Sequence, residues 1–347
     1  MIYFDSDYMA GAHPEVLQRL VDTNLEHTVG YGCDHYTENA TRLIREACGA
    51  PHAQVFLLVG GTQTNATIID GILARHEGVL APESAHINVH EAGAIEATGH
   101  KVLTLPQHQG KVWAEEVEHY INEFYRDETF LHMVAPGMLY ISFPTEYGTI
   151  YTLNELEALS QVCHDAQIPL YIDGARLGYG LAADECDVTL KDIARLADVF
   201  YIGGTKVGAM MGEAVVFSGM KAPKYFFTNV KRHGALLAKG RMLGIQFDTL
   251  FTDNLYFKIS KHAIDMAIRI RSIFTKHGIK IAYNSPTNQQ FVSLSPTLYD
   301  ALSKNVAFEI WERKSDDEII CRFVTSWATK ETEIEELDKE LSKLLKA

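Results

Sequence analysis

Tyr171-Ile-Asp-Gly-Ala-Arg176 and Tyr201-Ile-Gly-Gly-Thr-Lys206 decide the fold, because each closes an apolar run of strand length and then breaks into a glycine turn that carries charge. Apolar runs of four to eight residues bounded by glycine read as buried strands. In open α/β sheets ligands gather outside the carboxyl ends of the strands, so Asp173 and Lys206 fall on one rim. Taken singly, an Asp after a strand often caps a helix, and a Lys in a Gly-rich loop is usually solvated. Taken together they are a rarer pattern. A cofactor with an aldehyde and a pyridine ring needs an amine for a Schiff base and an acid to keep the ring nitrogen protonated. The pair therefore points to pyridoxal 5'-phosphate.

Working outward, strand-length apolar runs alternate with stretches of helical period from about residue 50 to residue 217, the mark of βαβ units and a mostly parallel sheet. Strands are expected at Gln54–Val59, Lys101–Thr104, Met138–Ile141, Leu170–Asp173, Val199–Ile202 and Ala214–Phe217. Helices are expected at Asn65–Arg75, Ala114–Tyr125 and Leu153–Ala166. Beyond Phe217 the pattern changes. Long helices are expected over Leu243–His277, then strands at Gln290–Leu294, Val306–Trp311 and Ile319–Val324, and a closing amphipathic helix over Glu331–Leu345. The expected organisation is an N-terminal segment over 1–14 that contributes to the active site, a large cofactor-binding domain over 15–245, and a small C-terminal α/β domain over 246–347.

Gln54-Val-Phe-Leu-Leu-Val-Gly-Gly-Thr-Gln-Thr-Asn65 reads as a strand, a turn and a helix start. The first N–H groups of a helix are unpaired and sit at the positive end of its dipole, which suits a phosphate. Gly60 and Gly61 permit a close approach and Thr62 adds a hydroxyl, although strand–helix turns use the same residues for tight geometry or capping alone. A dinucleotide fingerprint is absent: there is neither GxGxxG nor the lysine of a GxxxxGKT loop. His86 and His90 stand four apart with Glu91 alongside, but HExxH is missing and no third ligand is evident, so no metal is expected. His86 instead offers an imidazole that can stack on a pyridine ring. Arg322, in an apolar strand-like run, and Arg176, three residues past Asp173, each offer a planar fork suited to a carboxylate, or to a structural salt bridge.

Composition narrows the partners. The chain has 347 residues, 47% of them hydrophobic and 22% charged, enough for a sizeable core. A formal net charge of −14 disfavours nucleic acid and anionic membrane surfaces. Five cysteines without CxxC spacing argue for free thiols in a reducing compartment. The N-terminus lacks the basic and apolar regions of a secretory signal, and no apolar run approaches the roughly 18 residues of a membrane span. The expected location is cytoplasmic and the expected ligand a small molecule.

The chain resembles the pyridoxal-phosphate-dependent threonine aldolases of the low-specificity type, within the β-eliminating lyase superfamily and the aspartate-aminotransferase fold (fold type I). The resemblance runs through Asp5-Ser-Asp7, Gly60-Gly-Thr-Gln-Thr-Asn65, Ala85-His-Ile87 with Glu91-Ala-Gly93, Asp173-Gly-Ala-Arg176, Thr205-Lys206 with Gly208, and Arg322-Phe-Val-Thr325. It implies a large domain with a mostly parallel seven-stranded sheet and a smaller C-terminal α/β domain. By the same resemblance Lys206 is the Schiff-base lysine, with Thr205 beside it, Asp173 the partner of the pyridine nitrogen and His86 the stacking imidazole. Gly61 and Thr62 are phosphate ligands, and Ser6, Arg176 and Arg322 hold the substrate carboxylate. It further implies a homodimer or homotetramer with active sites at subunit interfaces. The chain departs from the pattern in three places. Ser142-Phe-Pro-Thr-Glu-Tyr147 brings Glu146 near the position of a histidine that contacts the substrate hydroxyl. Gly203-Gly-Thr-Lys206 replaces Ser-Lys-Gly, and Lys231–Arg241 replaces a glycine-rich basic segment.

The implied reaction is retro-aldol cleavage of a β-hydroxy-α-amino acid such as threonine, allo-threonine or phenylserine to glycine and an aldehyde, with Glu146 or His86 as base. Rival readings are β-elimination or transamination with the same cofactor, a non-catalytic binding protein of the same fold, and a generic α/β nucleotide-binding enzyme.

Overall fold

Strands buried on both faces need continuous apolar runs, and that is how the central runs of this chain read. The computed structural model describes residues 1–345; the last two positions of the small domain expected over 246–347 lie outside them. Seven strands form one sheet: β1 (Gln54–Leu58), β2 (Glu77–Pro82), β3 (Val102–Leu105), β4 (Ala135–Ser142), β5 (Leu170–Asp173), β6 (Val199–Gly203) and β7 (Glu213–Phe217), in the order β1-β7-β6-β5-β4-β2-β3. Only β7 runs against its neighbours, antiparallel to both β1 and β6, while the other pairs are parallel. The fold is therefore α/β with a mostly parallel seven-stranded sheet.

Each strand expected over residues 54–217 is present, whereas the one expected over Val306–Trp311 is divided into Val306–Ala307 and Glu309–Arg313, which join different sheets. β2 was not foreseen, although it sits between β4 and β3. Its sequence, Glu77-Gly-Val-Leu-Ala-Pro82, carries two residues that normally break strands. Gly78 is needed because a Cβ there would come within 2.6 Å of the Lys101 carbonyl, and Pro82 stands at the strand end, where its missing donor costs least. Register then fixes the rim. Tyr140 pairs with Tyr171 and Ser142 with Asp173 across β4 and β5, and Gly203 pairs with Glu213 across β6 and β7.

Among the helices, α1 (His35–Cys48) packs against Arg241–Phe251, and α2 (Gly61–Ile72) leaves the end of β1. The helical stretch over Leu243–His277 is two helices, Arg241–Phe251 and α3 (Leu255–Lys276), broken where Asp253 and Asn254 take positive φ of 50° and 59°. The chain then forms a four-stranded antiparallel sheet of β8 (Lys280–Tyr283), β9 (Gln289–Leu294), β10 (Glu309–Arg313) and β11 (Ile319–Val324), ordered β10-β11-β9-β8. α4 (Glu331–Leu344) covers it with Ile334, Leu337 and Leu341. Ile2–Tyr3 pairs in parallel with Val306–Ala307, and Phe4 is buried in the same core. That anchor delivers the next residues, Ser6 and Asp7, to the rim of the large sheet.

Candidate active site

The turns after β5 and β6 work because they are glycine. A Cβ at Gly174 would run into the Tyr201 carbonyl, and one at Gly203 into the Ala175 carbonyl, so only bare backbone lets the two strand ends pack while Asp173 and Lys206 turn into the space above. That space is a cavity of about 210 Å³ whose wall includes Gly61, Thr62, His86, Glu146, Asp173, Arg176, Thr205 and Lys206. The structure thus gathers these eight predicted residues. Gly60 contributes backbone only, as the extended residue before α2, and lies off the cavity wall. Ser6 and Arg322 also lie off it.

Asp173 is held by four donors. Its Oδ2 accepts from the Tyr140 hydroxyl at 2.7 Å and from Asn65 Nδ2 at 3.1 Å, and its Oδ1 accepts from the Ala175 N–H at 2.9 Å and from the Tyr201 hydroxyl. Burial, reinforced by the charge of Asp173, drives the Tyr140 and Tyr201 hydroxyls well above their ordinary pKa. They are therefore fixed as donors. Asn65 links this carboxyl to a second one: its Nδ2 also reaches Glu91 Oε1 at 2.7 Å, while its carbonyl oxygen accepts the Tyr171 hydroxyl at 2.6 Å. His86 Nδ1 meets the same Glu91 oxygen at 2.8 Å. This contact fixes the orientation of the His86 ring.

Glu146 lines the same cavity. Its Oε1 accepts the His86 N–H at 3.0 Å and the Ser142 hydroxyl at 2.7 Å, whereas Oε2 is buried with no partner among the described residues. Burial raises its pKa, against the opposing effect of Ser142. A carboxyl group with one oxygen fixed and the other unpaired is oriented but still able to exchange a proton.

The arginines are engaged. Arg176 makes a bidentate pair with Asp7, at 2.7 Å from Nε and 3.1 Å from Nη2, which leaves its Nη1. Burial works against its charge, yet Asp7 prevails and the guanidinium pKa is raised. Asn288 braces Asp7 at 3.0 Å. Arg322 donates to Gln289 Oε1 at 2.9 Å and to Glu309, lies over the Trp311 ring, and keeps a buried Nε without a partner. Lys206 is half-buried, and desolvation followed by the charge of Arg176 lowers its pKa, a shift that favours a nucleophilic amine.

Sequence reasoning gave no role to Asn65, Tyr140, Tyr171, Tyr201, Asp7 or Glu213. A signal for the tyrosines was present. Tyr140-Ile-Ser142, Tyr171-Ile-Asp173 and Tyr201-Ile-Gly203 repeat one tripeptide at the ends of three neighbouring strands, and the two-residue period of a strand puts each Tyr on the face of the rim residue that follows it.

The family model of the beta-eliminating lyases matches residues 4–295. The low specificity L-threonine aldolase of Pseudomonas sp. strain NCIMB 10558 is 27% identical, over 99% of this chain and 98% of its own length. That of Pseudomonas aeruginosa is 26% identical over 97% and 96%. The solved threonine aldolase of Leishmania major is 40% identical with a TM-score of 0.96, covering 99% of this chain and 100% of that one. Thermus thermophilus aspartate aminotransferase, 14% identical with a TM-score of 0.73 over 99% of this chain and 91% of its own, shares the fold.

Proposed function

The chain belongs to the beta-eliminating lyase family, and from its cavity we propose that it is a pyridoxal-phosphate-dependent lyase that splits β-hydroxy-α-amino acids such as threonine, allo-threonine or phenylserine into glycine and an aldehyde. One observation carries the reading: Lys206 and Glu146, one of whose oxygens is buried and unpaired, line the same cavity.

The side chains suit that cofactor. Lys206 Nζ is the amine for its aldehyde carbon, and Asp173, held within a ring of neutral donors, is the acid for its ring nitrogen. His86 provides the imidazole for one ring face. The start of α2 at Gly61 and Thr62 provides donors for the phosphate, and Thr205 forms part of the same wall; a Cβ on Gly61 would stand 3.4 Å from the Tyr201 hydroxyl and narrow the space. When bound, pyridoxal phosphate supplies an electron sink for the pair released as the Cα–Cβ bond breaks. Arg176 Nη1, with Ser6 and Arg322 behind it, clamps the substrate carboxylate and so decides which bond at Cα is presented for cleavage. Glu146 Oε2 takes the proton of the β-hydroxyl as Cα–Cβ opens, and the aldehyde departs. Its Oε1 stays on Ser142 and the His86 N–H meanwhile, so the base does not rotate away.

The assembly we propose is a homodimer or homotetramer. Leu17, Val21 and Val29 are exposed and line a groove shared with Met210, four residues past Lys206, and Leu25 on the same segment is 87% exposed. An apolar surface of this kind suits a second copy, which would border the lysine turn. No helix among the described residues is long and apolar enough to cross a membrane, and the five free cysteines support a cytoplasmic location.

The test is a product assay. With pyridoxal phosphate and L-threonine, L-allo-threonine or phenylserine, glycine and the matching aldehyde should appear in equal amounts. Formation of an oxo acid alone would overturn the assignment.

A further inference from the structure

We propose that Glu213 sets the proton state of Lys206: held as a neutral acid beneath the 203–206 turn, it leaves the lysine amine without a counter-ion and so favours loss of its proton. On ionising, it gives the lysine a partner that retains the proton. Glu213 is thus a positioning residue that acts through Lys206, and the inference rests on Lys206 being the cofactor amine.

Glu213 opens β7 in register with Gly203, which carries its side chain under the lysine turn. It is 4% exposed and borders the same cavity as Lys206. Its Oε2 accepts the Gly204 N–H at 3.0 Å, and its second contact is the Thr205 hydroxyl. Thr205 is free to donate because its oxygen already accepts the Gly212 N–H at 3.0 Å. Both donors are neutral. No Lys or Arg among the described residues approaches either Glu213 or Asp173 to within 4.0 Å, and Lys206 has no ion pair of its own at that distance.

A buried carboxyl without a contact cation is cheaper protonated than charged. Burial accordingly pushes Glu213 up to about 8, with the charge of Asp173 adding to it, and desolvation followed by Arg176 brings Lys206 down. The other groups facing the pair are Tyr171, Tyr201 and Tyr256, whose pKa values burial raises, and Asp7, already committed to Arg176. Glu213 therefore exchanges its proton near pH 8, with Lys206 brought down beside it. At low pH the pair carries an ammonium and a neutral acid. As the pH rises the ammonium gives its proton to water, and the Nζ lone pair becomes available to an aldehyde carbon. As Glu213 ionises, its negative charge makes the remaining ammonium fraction harder to deprotonate. Interacting sites of this kind titrate in two coupled steps.

The full-length protein freed of cofactor tests this. Pyridoxal phosphate is added and the growth rate of its visible absorbance band is followed from about pH 6 to about pH 10. The wild-type profile should be broad, spanning two ionisations. Glu213→Gln keeps an acceptor for the Gly204 N–H but cannot ionise, so its profile should narrow to one ionisation with a midpoint lower by up to about one unit. Glu213→Asp should restore the breadth. A Glu213→Gln profile that superimposes on wild type, or moves upward, overturns the inference alone. A wild-type protein that forms no band overturns it together with the Lys206 reading. A second readout needs no change at Glu213: infrared spectra of cofactor-free Glu146→Gln protein should show a protonated-carboxyl stretch at low pH that fades near pH 8. Its absence would contradict the proposal.

Discussion

Asp173 and Asn65 meet the cavity with hydrogen bonds already made, to each other, to Glu91 and to tyrosines 140, 171 and 201. Ser6, Glu146, Gln289 and Arg322 form a second set, each with a buried polar atom that has no partner among the described residues. An unmade hydrogen bond on a buried group costs about 1–3 kcal/mol, so several of them mark a place that a ligand completes. The first set is a fixed socket for a group that does not change position. The second is a surface for a substrate whose charges and bonds do change.

The largest effect that would sharpen this contrast lies in the second set. Glu146→Gln should lower kcat by about 10²–10⁴-fold, the usual worth of a general base, while leaving the visible band of bound cofactor unchanged. The pH profile gives an independent check. Burial raises the Glu146 pKa, and the base acts only when ionised. Wild-type activity should therefore climb with pH along an acid limb displaced above the ordinary carboxylate range, and that limb should vanish in the variant. If Glu146→Gln instead abolished cofactor binding, the two sets would not be separable.

A smaller effect belongs to the first set. Asn65→Ala removes the link between Asp173, Glu91 and Tyr171, leaving buried groups unpaired, and should cost about 1–3 kcal/mol in stability, read from denaturant unfolding. It should weaken the cofactor band with KM for the amino acid nearly unchanged. A variant with altered KM and an intact band would contradict the socket.

Asp173 and Lys206 were legible in the sequence because strand ends and glycine turns are local features. The same holds for the sheet, whose runs are short and bounded. β2 was hidden because Gly78 and Pro82 look like breakers until the neighbouring strands are in place. Asn65 could not be found by spacing, since its partners Glu91, Tyr171 and Asp173 are 26, 106 and 108 residues away. Asp7 was read only as part of a motif, and its pairing with Arg176 depends on the anchor formed by Ile2 and Phe4 in the C-terminal layer. Glu213 reads as the polar start of an edge-like strand, and only the antiparallel placement of β7 next to β6 puts it under the lysine.

The most direct test of the account is chemical fixation. After incubation with pyridoxal phosphate, borohydride reduction and peptide mapping should place a single pyridoxyl group on Lys206, and Lys206→Ala should carry neither the label nor the visible band. A label on another lysine, or a colourless wild-type protein, would contradict it.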